Sequence, residues 1–339
     1  MSPRIITPIV LLAGLVATVM LLRRNEPEYL RISGAAQGTS YRIIWESQDG
    51  QSIQPDIDSL LSELDHSLST YRQDSLISRI NRNDPDAQTD RHLRAVLEIA
   101  KRVHRDTRGA FDPTIAPLVL ASGFGPDPVS HIDVDPQAIE DAMELVGLDK
   151  ITIADGRITK PHHGVRLDLN GIGQGYAVDL ISSHLQDRDI TNFMVELGGE
   201  VLARGVNAEG GEWRIGIDRP SEGNTFPGAQ LEAVIRLRDR GLATSGNYRN
   251  FHEIDGRKFT HVIDPRTGAA TTSPLLSVTV TAPNATLADA YATACMVMGL
   301  EKGTTFINSR DDLEALFIHS DESGAMQTRA SAGLQLSGP

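Results

Sequence analysis

"RLDLNGIGQGYAVD", residues 166–179, is the stretch whose glycine spacing decides what kind of α/β protein this is. It reads as a strand, then a turn crowded with Gly171, Gly173 and Gly175, then the start of a helix. Such a turn can offer backbone N–H groups and a helix N-terminus to a phosphate. A doubly wound dinucleotide fold would need G-x-G-x-x-G. Here the order is G-x-G-x-G, and Tyr176 stands where the third glycine would have to sit. Glu196 falls about 20 residues on, where the ribose-binding acid of that fold lies, but the glycine spacing argues against the fold. A tight turn with no ligand is the plain alternative reading.

Outward from this turn, the patterns favour antiparallel pairing. "KITIADGRITK" (150–160) and "FHEIDGRKFTHV" (251–262) each place Asp-Gly between alternating stretches, which is the chemistry of a tight hairpin turn. Strands are expected at "SYRIIWE" (40–46), "VRLDL" (165–169), "FMVELGG" (193–199), "WRIGID" (213–218), "LEAVIRLR" (231–238), "LSVTVTAP" (276–283) and "LEALFIHS" (313–320). Helices are expected at "PDIDSLLSELDHSL" (55–68), "RHLRAVLEIAKRVHRDT" (91–107, closed by Gly109) and "PQAIEDAMELVG" (136–147). Two more follow at "GQGYAVDLISSHL" (173–185) and "LADAYATACMVMG" (287–299). The fold class is therefore α+β: mixed α/β with antiparallel hairpins, in one compact catalytic domain over residues 29–339.

Ahead of it, residues 5–22, "IITPIVLLAGLVATVMLL", run uncharged between Arg4 and Arg23-Arg24, at the lower edge of a bilayer-spanning length. Residues 1–28 thus read as a signal anchor or a signal peptide. The anchor is favoured because no small-x-small cleavage site is clear. A net charge of −13 opposes attachment to phosphate backbones, so nucleic acid is not an expected partner. The single cysteine, Cys295, excludes an internal disulfide and a cysteine-based metal site.

Asp289 and Thr293 lie four apart on an otherwise apolar helix, hence on one face. A carboxylate with a hydroxyl suits a hard cation such as Mg²⁺, which keeps waters or phosphate oxygens in its remaining positions. The competing reading is local: Thr286 and Asp289 as a capping box, with Thr293 bonded back to its own helix. His261 ends a strand before the Asp264-Pro265 turn and could serve as a general base, its ordinary pKa being near neutrality.

In this order, "QGTSYRI", "LSTYRQDSLISRIN", "AFDPTIAPLV" with "GFGP", "LDLNGIGQGYAVD", "VELGGEVLARG", "LATSGNYRNF", "THVIDPRTG", "SVTVTAP" and "DAYATACMVMG" span nearly all of the chain after its N-terminal segment. They resemble the ApbE-type FAD:protein FMN transferases. The resemblance implies an ApbE-like (T-fold-like) domain that moves FMN from FAD onto a threonine hydroxyl of a target protein, releasing AMP, with Mg²⁺ or Mn²⁺ required. It implies a metal held by Asp289, Thr293 and a main-chain oxygen of Gly171, with His261 taking the proton from the acceptor. FAD contacts would fall on Gln37, Tyr71, Ala110, Phe111, Asp112, Asp168 and Gln174. Gln37 stands where the family usually has Met, and Gln174 where it commonly has a charged residue. The implied setting is a bacterial inner membrane with the domain in the periplasm, the partner being a membrane redox subunit. An FAD pyrophosphatase and a non-catalytic FAD carrier are the rival readings.

Overall fold

The computed structural model describes residues 28–47, 49–125, 135–221, 228–247, 251–254, 257–260, 262–271 and 273–338. In chain order, strands β1 (Glu28–Ala36) and β2 (Thr39–Ser47) lead into helices α1 (Gln54–Leu68), α2 (Leu76–Asn81), α3 (Arg91–Asp106), α4 (Ala116–Ala121) and α5 (Pro136–Met143). A small hairpin, β3 (Thr152–Ala154) with β4 (Arg157–Thr159), precedes α6 (Gly173–Gln186). Then come β5 (Phe193–Leu197), β6 (Glu200–Arg204), β7 (Trp213–Asp218), β8 (Leu231–Leu237), β9 (Arg240–Gly246), β10 (Phe251–Ile254), β11 (Arg257–Thr260) and β12 (Leu275–Ala282). The long helix α7 (Ala285–Asn308), broken at Gly299, is followed by β13 (Glu314–Ser320), β14 (Met326–Ala330) and β15 (Leu336–Ser337).

Eight strands form one sheet in the order β1-β2-β5-β6-β9-β12-β13-β14, and every neighbouring pair in it is antiparallel. That arrangement excludes a doubly wound parallel sheet, as the glycine spacing implies. Period-two alternation splits the side chains between two layers. Phe193, Val195 and Leu197 of β5 join Ala177, Val178 and Ile181 of α6, whereas Met194 turns to the other face. Val278 and Val280 of β12, with Ala315 and Phe317 of β13, pack with Ala288, Tyr291, Ala292 and Cys295 of α7. On the opposite face Leu242, Leu316 and Ile318 meet Trp213, Ile215 and Ile235 of a second sheet, ordered β15-β8-β7. The result is helices, large sheet and small sheet in three layers. Each fully buried aliphatic side chain in it contributes roughly 1.5–3 kcal/mol.

The Asp155-Gly156 turn of the small hairpin has φ of 51° and 73°, the left-handed pair that its sequence predicts. Gln37-Gly38, between β1 and β2, adopts the same geometry at 50° and 74°, although Gln is not a residue this turn favours. Two expectations are corrected. Residues 165–169 form no strand: Arg166 makes only a single parallel bridge to Ile115. The last long helix starts at Ala285 rather than Leu287 and continues past Gly299 to Asn308.

Candidate functional site

Helices α6 and α7 cap one another, and this exchange builds the site. The Asp179 carboxylate, on α6, accepts the backbone N–H groups of Ala285 and Thr286 at 2.9 Å each, and the Thr286 hydroxyl as well. In return Asp289, on α7, accepts the N–H of Gly175 at 3.0 Å. Helix termini leave such donors without intrahelical partners, and here each helix supplies an acid to the other. Asn284 is the N-cap of α7 through the Leu287 N–H. Thr286 and Asp289 therefore do not form a capping box.

Close approach accounts for two of the turn's glycines. A Cβ at Gly175 would lie 2.4 Å from the Ala285 carbonyl oxygen and 2.8 Å from the Asp289 Cβ. A Cβ at Gly171 would lie 2.9 Å from the Thr293 Oγ1. Thr293 Oγ1 stands 3.3 Å from Ser245 Oγ of β9. Gly171, Asp289 and Thr293 are thus gathered where the glycine turn meets one edge of α7. Among the described residues no group of three or more His, Cys, Asp or Glu side chains could hold a metal ion. One carboxylate, one hydroxyl and a main-chain oxygen form a smaller set, whose hard oxygens fit Mg²⁺ by chemistry.

The electrostatics point the same way. Burial pushes the Asp289 carboxyl up to about 7; the Gly175 N–H opposes this and the charge of Asp179 adds to it. Burial and then the charge of Asp289 push Glu200, on β6, well above the carboxylate range. Burial also raises Asp179, Glu196 and Asp168. Asp179, Asp289 and Glu200 thus act on one another in one buried region of an acidic protein, a repulsion that a cation there would relieve.

Asp168 holds the Asn170 N–H at 2.8 Å, and its own N–H donates to the Pro113 carbonyl, docking the glycine segment on the 110–114 turn. Tyr71 is 66% exposed; partial desolvation and then the charge of Asp168 raise its hydroxyl's pKa, so an open aromatic face lies within reach of that acid. Ala110, Phe111 and Asp112 are buried. The Asp112 carboxylate accepts the N–H and hydroxyl of Thr114 and approaches His104 Nδ1 at 3.3 Å. Its side chain is thus occupied in organising the turn. Gln174 lies against the turn joining β5 to β6, where a Cβ at Gly198 would meet its Nε2 at 2.8 Å. Gln37 lies in the β1–β2 turn. His261, Tyr248, Arg249 and the N-terminal run 1–27 lie outside the described residues. Cys295 is buried in α7, and burial pushes its thiol up to about 12.

Sequence reading did not single out Asp179 or Glu200. Asp179 closes the quoted glycine motif, but a cap given to another helix leaves no local pattern. Glu200 had one legible signal: in β6 it alternates in phase with Leu202, which faces the helices.

Residues 37–317 match the ApbE family. The chain is 34% identical over 319 residues to the FAD:protein FMN transferase of Vibrio cholerae, covering 92% of this chain and 94% of that one. It is 32% identical over 339 residues to the protein of that name from Haemophilus influenzae, covering 95% and 96%. Its fold superposes on the flavin transferase ApbE of Vibrio cholerae with a TM-score of 0.80 at 33% identity, covering 90% of this chain and 98% of that one. For the apo form of the Pseudomonas stutzeri flavinyl transferase ApbE the values are 0.81, 31%, 90% and 95%. With the family match running from the first hairpin to β13, and relatives above 30% identity covered almost end to end, the chain belongs to the ApbE family and is a transferase.

Proposed function

We propose that this protein transfers FMN from FAD to a threonine hydroxyl of a target protein. The acceptor oxygen attacks the phosphorus on the FMN side of the diphosphate, a phosphoester forms, the bond to the AMP phosphate breaks, and AMP leaves with the bridging oxygen. The acceptor's proton passes to His261, by resemblance the base of the family. The observation that carries the reading is the α6–α7 junction, which gathers Asp289, Thr293 and Gly171 at a glycine-rich helix entrance suited to a diphosphate.

Asp289, Thr293 and the Gly171 carbonyl would hold the divalent cation. Bound there, Mg²⁺ would neutralise charge on the diphosphate oxygens as the leaving phosphate departs. Asp179 fixes the start of α7 and so the position of Asp289, while Tyr71 offers its exposed ring to the flavin. Contacts from residues 110–112 are main-chain contacts, since the Asp112 carboxylate is engaged elsewhere. The N-terminal apolar run would tether or export the domain to the periplasmic face of the inner membrane, where a membrane redox subunit is the acceptor.

Incubating the protein with FAD, Mg²⁺ and a threonine-bearing acceptor domain, and measuring AMP and protein-bound flavin, tests the proposal. The expected outcome is AMP and bound flavin in equal amounts. AMP without bound flavin would replace it with a pyrophosphatase, and neither product would leave only an FAD carrier.

A further inference from the structure

Glu200 is a buried acid that the proposed chemistry does not use. It opens β6 directly after the Gly198-Gly199 turn, against which Gln174 lies. Its residue is 6% exposed, and its Oε2 has no hydrogen-bond partner among the described residues. Other buried polar atoms share that condition, but Glu200 is the only carboxylate in the group. A buried carboxyl oxygen without a protein partner calls for one outside the protein, such as a bound water or ion. Strand alternation turns Glu200 toward the helices, on the same face as Leu202, and α7 packs on β6. The charge that acts on it most strongly is that of Asp289, ahead of Glu196. Two acids therefore share one buried region near the glycine turn, with no cation of the protein hydrogen-bonded to either among the described residues.

We infer that Glu200 is a positioning residue of the cation site, its free carboxylate oxygen accepting a hydrogen bond from a water in the coordination shell of the ion held by Asp289, Thr293 and the Gly171 carbonyl. This inference rests on the cation reading proposed above. Magnesium keeps several of its waters, and an outer carboxylate that orients one of them tightens binding without being a ligand. Two negative charges at one buried place become favourable together only when a dication stands beside them.

The test is titration of the full-length protein with Mn²⁺ alone, following loss of the free-ion electron paramagnetic resonance signal, for wild type, Glu200→Gln, Glu200→Asp and Asp289→Asn. Glu200→Gln keeps shape and volume but removes the charge; it should weaken Mn²⁺ binding by roughly 10–100-fold. Glu200→Asp should recover part of that loss, and Asp289→Asn should abolish binding. Thermal melts of the metal-free variants separate a structural effect, which would lower the melting temperature without moving Mn²⁺ affinity. Wild-type affinity in a folded Glu200→Gln protein, with binding lost in Asp289→Asn, overturns the role of Glu200 and leaves the cation site standing. If Glu200→Gln does not fold, undiminished affinity in Glu200→Asp together with loss in Asp289→Asn overturns it equally. Failure of the wild type to bind Mn²⁺ overturns both.

Discussion

Asp289 caps Gly175, and in the proposed function it also holds the cation. Asparagine preserves the shape and one acceptor oxygen but not the charge. Asp289→Asn should therefore reduce FMN transfer by about 100-fold or more, the size of losing one transition-state electrostatic contact, with an unchanged near-ultraviolet circular dichroism spectrum. A spectrum that collapsed with activity would make Asp289 a purely structural residue. The raised pKa adds a pH dependence. Its value in the folded protein, about 7, lies above the unfolded one near 4. Folding therefore favours the protonated form, and the metal-free protein loses stability as pH rises between those values. Metal binding must displace that proton. Apparent Mg²⁺ affinity should thus rise about tenfold per pH unit below pH ~7 and level off above it. Isothermal titration at pH 5.5, 6.5 and 8 checks the slope, and Asp289→Asn should show no binding heat at any of the three.

At the scale of the element, the three glycines of one turn have different physical reasons to be there. Gly175 faces the Ala285 carbonyl at a distance no Cβ tolerates, and the obstacle is backbone, which cannot swing away. Gly175→Ala should force α6 from α7, lower stability by about 1–3 kcal/mol or more and remove activity in the same step. Gly173, first in α6, has nothing within 4 Å of its missing Cβ. Gly173→Ala should leave stability unchanged or raise it by up to about 1 kcal/mol through helix propensity. Urea denaturation of the two variants measures the contrast. The sequence announced this turn by its glycine count and announced α7 by its apolar body. It did not announce that each helix caps the other, because Asp179 and Ala285 are 106 residues apart and no local pattern relates them. Residues 165–169 misled for a related reason. Their alternation fits a strand, but their backbone bonds go to Pro113, to the Asn81 side chain and into the following turn.

Across the whole molecule the site sits on the helix layer, and the second sheet covers the far face of the large one. Trp213 anchors that second sheet, 5% exposed, with its indole N–H on the Arg204 carbonyl at 2.9 Å. Trp213→Ala should cost about 3–5 kcal/mol of stability while leaving KM for FAD unchanged at temperatures where the variant is folded. A large KM change would mean the small sheet reaches the site. In the proposed function the N-terminal run, residues 1–27, serves location rather than chemistry. If residues 1–27 are the tether proposed above, removing them should move the protein from the membrane to the soluble fraction and leave the rate of FMN transfer within about twofold. Cell fractionation followed by the flavin-transfer assay reads both.

By itself the sequence determined the five longer helices, several strands and the rejection of a parallel dinucleotide fold, though not β1, β6, β9 or β14, because hairpin dipeptides, apolar periodicity and glycine spacing act over a few residues. It also pointed to Asp289, Thr293 and Gly171 as the candidate cation site, since the first two share one helix face and the third joins them through motif resemblance. Only the tertiary structure decided what those residues meet. The reciprocal caps, the fit of Gly171 against Thr293, the occupied carboxylate of Asp112 and the free oxygen of Glu200 all arise between segments far apart in the chain. Burial then converts an ordinary acid into one that holds its proton to about pH 7, and burial is a property of the packed molecule.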